Sequence, residues 1–403
     1  MRVLSLFDGM ACGMLAMQKV GIEVSRYVAY EIDKYAVQTS SHNFPMIEHR
    51  GDVFAADFSE FDGFDFLIGG SPCTYWSIAQ SNNRETTASG MGWELFSQYV
   101  RALHEAKPKF FIYENNKSMS DAIRASIDEA FGFEAIHINS ALVSAQNRQR
   151  LYWVGKRSED GTYSKVDIEQ PDDRGILLKD ILESGSAWQE KSFAYTTRCQ
   201  GATPHDTLGK HRHTMVAEPV CTTMDGKSFC VTATEYKGSN PQQTLTKHRR
   251  TMVAEPVGVG YRNRRENDGR LYRRFETHNE EKSNALTTVR TDSMIAELVP
   301  LYSTPCEWSD GGIPTKAISA NDGKTYIVYA VKDNQITIKG KEYHIGLADG
   351  FYIIRKLTVR ECMRLQTVPE WYEFPVSDTQ AYKMLGNGWT VDVIAHLLSA
   401  CRK

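Results

Sequence analysis

The chain has 403 residues, 41% apolar and 24% charged, an ordinary globular composition with room for two domains or one large domain carrying an insertion. No run of about 18 apolar residues occurs, so no membrane span is expected, and residues 1–7 read as a buried strand rather than a cleavable leader. The eight cysteines are scattered without a CxxC pair, which excludes the usual zinc and disulfide patterns and points to a reducing cytoplasm, while a net charge of −3 lends nucleic-acid binding no overall support.

In chain order, residues 3–7 form an apolar strand, and Gly9 and Gly13 open a helix to about Val20. A second strand (24–30) ends in Glu31 and is followed by a helix over 34–42. A third strand (64–69) precedes a strongly amphipathic helix at 93–107, and a short strand (110–113) ends in Glu114. A helix over 120–131 and a strand over 151–155 close a first domain at 1–165. Strands alternating with helices predict a mostly parallel α/β sheet. Ligands of such sheets bind at the carboxyl ends of the strands, and Asp8, Glu31, Pro72-Cys73 and Glu114 all stand just after one.

Residues 175–345 differ: they are rich in Thr, Arg, Gly and Asn, with short strands and many turn signals, and predict a smaller, mostly β or irregular inserted domain. Between Arg198 and Arg274 there are 14 Lys and Arg against 7 Asp and Glu, a local charge of about +7 on an otherwise acidic chain. The segment from Lys210 to Pro219 recurs from Lys247 to Pro256, with a decayed third copy from Arg290 to Glu297. Each copy reads as a basic loop before a short strand, either a duplicated structural hairpin or a set of DNA-facing loops, with the second favoured because two to four Lys, Arg or His precede each strand. Residues 350–403 return to helical patterning: Thr358 is placed to cap a helix through Leu365, and a Gly386-Asn387-Gly388 turn precedes an apolar helix over 389–398 that packs back on the first domain.

Several of these residues suit definite chemistry. The Phe7-Asp8-Gly9 turn leading to Gly13 allows close approach of a nucleotide-like ligand. Glu31, about 20 residues further on, is where an acid hydrogen-bonds a ribose diol, and Asp52 can accept from an adenine amine. No lysine-bearing phosphate loop is present, so the combination suits an adenosyl ligand without phosphates. Cys73, on a proline turn at a strand end, can be a nucleophile or a structural thiol; a thiol with a pKa near roughly 8.5 needs a positive or helix-N-terminal setting to ionise.

Read together, the motifs resemble those of the DNA cytosine-5 methyltransferase family along nearly the whole chain. The matching elements are the Phe7–Gly13 loop, Glu31, Asp52, the Pro72-Cys73 loop ending in Ser77, and the segment from Gly92 to Leu95. Glu114-Asn115, the run from Gln146 to Arg150, Arg360-Glu361 and Gly386-Asn387 follow in the family's order. The resemblance implies a Rossmann-like S-adenosylmethionine-dependent sheet with a target-recognition domain inserted before the C-terminal helices. It implies that Cys73 adds to carbon 6 of a flipped-out cytosine in double-stranded DNA. Glu114 would hold ring nitrogen 3 and the exocyclic amine, Asn115 would buttress the site, and Arg148 and Arg150 would contact the base oxygen and hold the nucleophile loop. Phe7, Asp8, Gly9, Gly13, Glu31, Ile32, Asp52, Val53, Pro72, Leu95 and Asn387 would bind S-adenosylmethionine. Ser77, Arg249 and Arg250 would face DNA, and no metal is implied.

Two departures stand beside the base: Asn116 where the family usually has valine, and Thr74-Tyr75-Trp76 where glutamine usually follows the cysteine. Alternatives that stay open are an RNA-acting relative, an enzyme transferring a modified one-carbon group, and a non-catalytic DNA-binding regulator. The expected setting is a monomeric bacterial or phage enzyme, with or without a cognate restriction enzyme.

Overall fold

The computed structural model describes residues 1–77, 84–187, 189–194, 203–210, 213–220 and 323–402, together with strands and their flanks at 258–265, 271–278, 294–295, 304–309 and 314–319. The chain divides into two compact units. One comprises Met1–Leu182, Ala187–Val216 and Lys356–Lys403, the other Glu183–Ser186 and Ala217–Arg355.

The first unit is a doubly wound α/β sheet. Its elements are β1 (Arg2–Leu6), α1 (Cys12–Lys19), β2 (Arg26–Tyr30), α2 (Lys34–Asn43), β3 (Ile47–His49), β4 (Phe66–Gly69), α3 (Met91–Ala106) and β5 (Phe110–Asn116). They continue with α4 (Asp121–Phe131), β6 (Ile136–Asn139), β7 (Gln146–Asn147), β8 (Gln149–Arg157) and β9 (Tyr163–Lys165). The sheet order is β3-β2-β1-β4-β5-β8-β6, with β9 beside β8. Strands β1 to β5 are parallel, and β8 runs antiparallel between β5 and β6.

Side chains alternate across each strand, as the period of two requires. Val3, Ile68, Ile112 and Val154 enter one core with α1, while Leu4, Leu67, Phe111 and Trp153 enter the other with α3 and α4. Both faces are therefore covered, which is why the strands read as continuous apolar runs.

Register sets the site. Tyr30, Leu6, Gly69 and Tyr113 are successive cross-strand partners, so the carboxyl ends of β2, β1, β4 and β5 form one row. Because β8 is antiparallel, its first residues arrive at the same row: Arg150 pairs with Asn116 and Tyr152 with Glu114. The winding reverses between β1 and β4, the switch point where doubly wound sheets leave a crevice.

After β10 (Ser192–Phe193), α5 (Pro204–Lys210) and β11 (Met215–Pro219), the chain enters the second unit. There β12 (Gly258–Arg265) pairs antiparallel with β13 (Leu271–His278) and with β14 (Met294–Ile295). A further antiparallel sheet joins β15 (Thr304–Trp308), β16 (Pro314–Ile318), β17 (Thr325–Lys332) and β20 (Gly350–Lys356), with β18 (Gln335–Ile338) and β19 (Lys341–His344) as a hairpin at its side. The first repeat copy supplies β11, whose Glu218 is fully buried and accepts from Ser184 Oγ at 2.7 Å, Ser319 Oγ at 2.6 Å and Arg355 Nε. The strand half of that copy is thus structural. The third copy supplies β14, and the second, with Arg249 and Arg250, lies outside the described residues.

The tail rejoins the first unit as α6 (Val359–Leu365), α7 (Asp378–Asn387) and α8 (Val391–Ala400). Thr358 caps α6 in a reciprocal box with Glu361. Gly386 and Asn387, expected in a turn, instead form the last residues of α7. The carbonyls of Gly386 and Gly388 are taken by Arg148, which accounts for a helix running through a glycine.

Candidate active site

After β4 the chain passes through Gly70 and Ser71 to Pro72, which caps a single 3-10 turn, Cys73–Tyr75. The Cys73 carbonyl accepts from Trp76 N at 3.2 Å and Ser77 N at 3.0 Å, so the turn closes on itself with a half-buried thiol at its start. The approach to β5 is close. A Cβ on Gly70 would lie 2.8 Å from the Glu114 carbonyl oxygen and 3.0 Å from Glu114 Oε2. Of the residues after Cys73, Thr74 is exposed and Trp76 is fully buried in the core under α3. The aromatic there is a packing anchor.

Strand β5 delivers three polar side chains in a row, all buried. Glu114 Oε1 pairs with Arg150 Nε at 2.9 Å and Oε2 accepts from Trp389 Nε1 at 2.9 Å. Asn115 Nδ2 donates to the Ser71 carbonyl at 3.2 Å and Ser71 Oγ at 3.3 Å, and Ser71 Oγ meets Tyr113 Oη at 2.6 Å. Asn115 therefore braces the residue two before Cys73. Asn116 Nδ2 reaches the Cys73 carbonyl at 3.5 Å, and its Oδ1 accepts from Ser118 Oγ at 2.7 Å. Asn116, expected beside the base, has its amide directed at the Cys73 turn and Ser118.

Arg148 is 3% exposed, and burial, with the Arg150 charge second, pushes its pKa below the ordinary guanidinium range. The neighbouring Glu114 carboxylate favours its ionised form. Its bonds to Gly386 and Gly388 carbonyl oxygens tie the residue between β7 and β8 to the end of α7. Arg150, by contrast, pairs with Glu114 directly. Trp389 was not singled out from the sequence, since an aromatic opening an apolar helix gives no sign that its N–H is aimed at an acid.

At the β1 end, Phe7, Gly9 and Ala11 all adopt left-handed backbone (φ 58, 59 and 59°), costly for Phe7 and Ala11 but free for Gly9. Gly9 N donates to Glu31 Oε2 at 2.8 Å, and Glu31 Oε1 accepts from the Ile32 and Asp33 amides at 2.8 Å each. Glu31 thus fixes the loop after β1 as well as ending β2. Asp8 Oδ1 accepts from Ser5 Oγ and Tyr27 Oη, whereas its buried Oδ2 has no partner among the described residues. Burial raises its pKa to about 6.

Gly13 serves packing: a Cβ there would meet Ile68 Cδ1 at 2.3 Å. Ile32 is 77% exposed beside Glu31, Asp52 Oδ1 caps the 3-10 turn at Phe54 N, and Val53 is buried in the second core. Leu95 is half-buried on α3, and Asn387 is exposed at the end of α7. Gly388, next in the chain, comes close to the β1 loop, since a Cβ on it would lie 3.2 Å from Cys12 Sγ. Burial pushes the Cys12 thiol up to about 12, so it offers no competing thiolate. Among the described residues no His, Cys, Asp and Glu group could hold a metal ion, and no helix is long and apolar enough to cross a membrane.

A family model described as C-5 cytosine-specific DNA methylase matches residues 1–403. The orphan methyltransferase M.SPRI of Bacillus phage SPR is 32% identical over 213 residues, 48% of each chain. The Type II methyltransferase M.FnuDI of Fusobacterium nucleatum is 32% identical over 170 residues, 40% of this chain and 48% of that one. The chain thus spans about half the length of these curated relatives. Among solved structures, the S. pombe Dnmt2 methyltransferase aligns over 99% of this chain and 97% of its own, with 12% identity and a TM-score of 0.49.

Proposed function

The chain belongs to the C-5 cytosine-specific DNA methylase family, and on that premise we propose that it methylates carbon 5 of cytosine in double-stranded DNA, using S-adenosylmethionine. The observation that carries the reading is the convergence of Cys73, Glu114 and Arg150 from three strand ends on one rim, in the same row as the ends of β1 and β2, which are followed by Asp8 and Glu31.

The residues after β1 and β2 suit the cofactor. Asp8 Oδ2 is a buried carboxylate oxygen without a partner among the described residues, the element a cationic amino group would satisfy. Glu31, Ile32 and Asp52 would hold the adenosyl portion, with Phe7, Val53, Pro72, Leu95 and Asn387 around it. When bound, S-adenosylmethionine supplies an electrophilic methyl group.

The protein's own work is to activate the base. Cytosine carbon 5 is a weak nucleophile; Cys73 Sγ forms a bond to carbon 6, and the electron pair of the 5,6 double bond becomes available at carbon 5. Charge passes toward ring nitrogen 3, where a proton carried by Glu114, held by Arg150 and Trp389, would neutralise it; that proton returns to Glu114 when the thiolate leaves. Asn115 keeps the Ser71-Pro72-Cys73 backbone in place throughout. Once carbon 5 carries the methyl group, loss of its proton to solvent re-forms the double bond and expels the Cys73 thiolate. The base must leave the helix stack to reach this rim.

The second unit, with the basic stretch that includes Arg249 and Arg250, is assigned to target recognition, through phosphate and base contacts. The setting that suits the chain is a monomeric enzyme in the cytoplasm of a bacterium or phage-infected cell, with or without a restriction partner. Incubation with labelled S-adenosylmethionine and either duplex DNA or RNA tests the reading: label on carbon 5 of DNA cytosine supports it, and label on RNA alone, or none, rejects it. A separate filter assay tests the recognition assignment, in which Arg249→Ala with Arg250→Ala should weaken DNA binding and flatten its salt dependence.

A further inference from the structure

The segment just before α3 holds the nucleophile turn through several hydrogen bonds. Arg84 Nε donates to the Trp76 carbonyl at 3.1 Å, and its Nη2 donates to the Ser118 carbonyl at 2.6 Å. One planar guanidinium thereby bridges the turn that carries Cys73 and the loop leaving β5. Glu85 holds the same turn from its other side. Its backbone N–H donates to the Tyr75 carbonyl at 2.9 Å, and its Oε2 accepts from Trp76 Nε1 at 3.1 Å. The Glu85 carboxylate also accepts from Gly92 N at 3.2 Å, in the first turn of α3, where a negative group is favoured.

Steric fit supports this arrangement. A Cβ on Gly92 would lie 2.5 Å from Trp76 Nε1 and 2.6 Å from Glu85 Oε2, so α3 can start here only because that residue is glycine. The carbonyls of Tyr75 and Trp76 are both taken by this one dipeptide, and the Cys73 carbonyl by Trp76, Ser77 and Asn116. A one-turn 3-10 helix has little stability of its own. Its orientation comes from what binds its carbonyls.

We infer that Arg84 and Glu85 are positioning residues that fix the Cys73 turn between β5 and α3, so that the thiol is presented to the base at a set angle. This rests on the reading of Cys73 as the nucleophile. Neither side chain is placed against base or cofactor; each acts through the backbone of residues 73–76.

The test uses the full chain as Arg84→Ala, Arg84→Lys and Glu85→Ala, with three readouts. In Arg84→Ala and Glu85→Ala, kcat should fall about 10- to 100-fold, while the cofactor Kd stays within about twofold. Arg84→Lys should recover only a minor part, because an ammonium lacks the fork that spans two carbonyls. Alkylation of Cys73 by iodoacetamide, read by peptide mass spectrometry, should become several-fold faster as the turn loosens, while buried Cys12, Cys362 and Cys401 stay unmodified. Unchanged kcat and unchanged Cys73 alkylation in both alanine variants overturn the inference. So does a loss in which cofactor binding and protection of the buried cysteines go together, since that is general unfolding. If the unaltered protein transfers no methyl group, the proposed function fails on its own, and the alkylation comparison still decides whether the clasp holds the turn.

Discussion

Trp389 Nε1 donates to Glu114 Oε2 across 2.9 Å, joining the link between α7 and α8 to β5 across 275 positions of sequence. With Arg150 on Oε1, each carboxylate oxygen carries one donor, and each retains a lone pair for another. Trp389→Phe keeps the ring and removes only the N–H. It should lower kcat about tenfold, equal to about 1.4 kcal/mol, and change unfolding stability by less than about 1 kcal/mol. Steady-state kinetics beside urea unfolding checks this; unaltered kcat would mean Arg150 alone orients Glu114.

Asn116 bears on the nature of the product. Its amide is engaged by Ser118 and the Cys73 carbonyl. Asn116→Val should therefore leave cytosine as the target base and methyl as the transferred group, with kcat reduced no more than about tenfold, since the Cys73 carbonyl keeps the Trp76 and Ser77 amides as donors. Mass analysis of nucleosides from modified DNA reads both. A change of base or of transferred group in this variant would place Asn116 in the pocket after all.

Asp8 predicts a pH dependence with a definite sign. Its pKa is raised from 3.8 to about 6, chiefly by burial, so its folded state prefers the proton. The stability it contributes is complete below about pH 4 and is lost as pH rises through 6. At neutral pH the ionised carboxylate then costs about 3 kcal/mol, at about 1.4 kcal/mol per unit. Asp8→Asn should be more stable than the unaltered protein at pH 7, with the difference vanishing near pH 4, and should bind S-adenosylmethionine more weakly. Chemical unfolding at several pH values and calorimetric titration measure the two effects. A variant less stable at pH 7 contradicts the sign.

The buried Arg355–Glu218 pair gives a test in the second unit alone. Arg355→Met leaves a fully buried carboxylate uncompensated and should destabilise that unit by about 3–5 kcal/mol. Adding Glu218→Leu should restore most of the loss, since the pair is replaced by apolar side chains. Limited proteolysis across 217–355 reads this unit; equal sensitivity of the single and double variants would contradict it.

The strand ends were legible in the sequence because both faces of the sheet are covered, which makes β1, β4 and β5 apolar runs with a polar residue at the stop. β5 was read as ending at Tyr113 but runs to Asn116, since Asn115 and Asn116 are satisfied by Ser71, Ser118 and the Cys73 turn, partners distant in sequence. Helix α7 was missed for a similar reason. Its sequence is polar and ends in a Gly-Asn-Gly signal, and the Arg148 bonds to its last carbonyls come from residues about 240 positions away. Trp389, Arg84 and Glu85 carry no local signature at all. Motif order locates Cys73 and Glu114, while the residues that hold them in place appear only when the chain is folded.

The proposed reaction requires Cys73 to form a bond to carbon 6 of cytosine. Duplex DNA bearing 5-fluorocytosine tests it directly, because fluorine at carbon 5 cannot leave as the proton does and the adduct persists. With S-adenosylmethionine present, the expected product is a denaturation-resistant protein–DNA species whose linked peptide contains Cys73, absent in Cys73→Ala. Methylation of ordinary cytosine by Cys73→Ala at the rate of the unaltered protein, or a trapped adduct on any other residue, would contradict it.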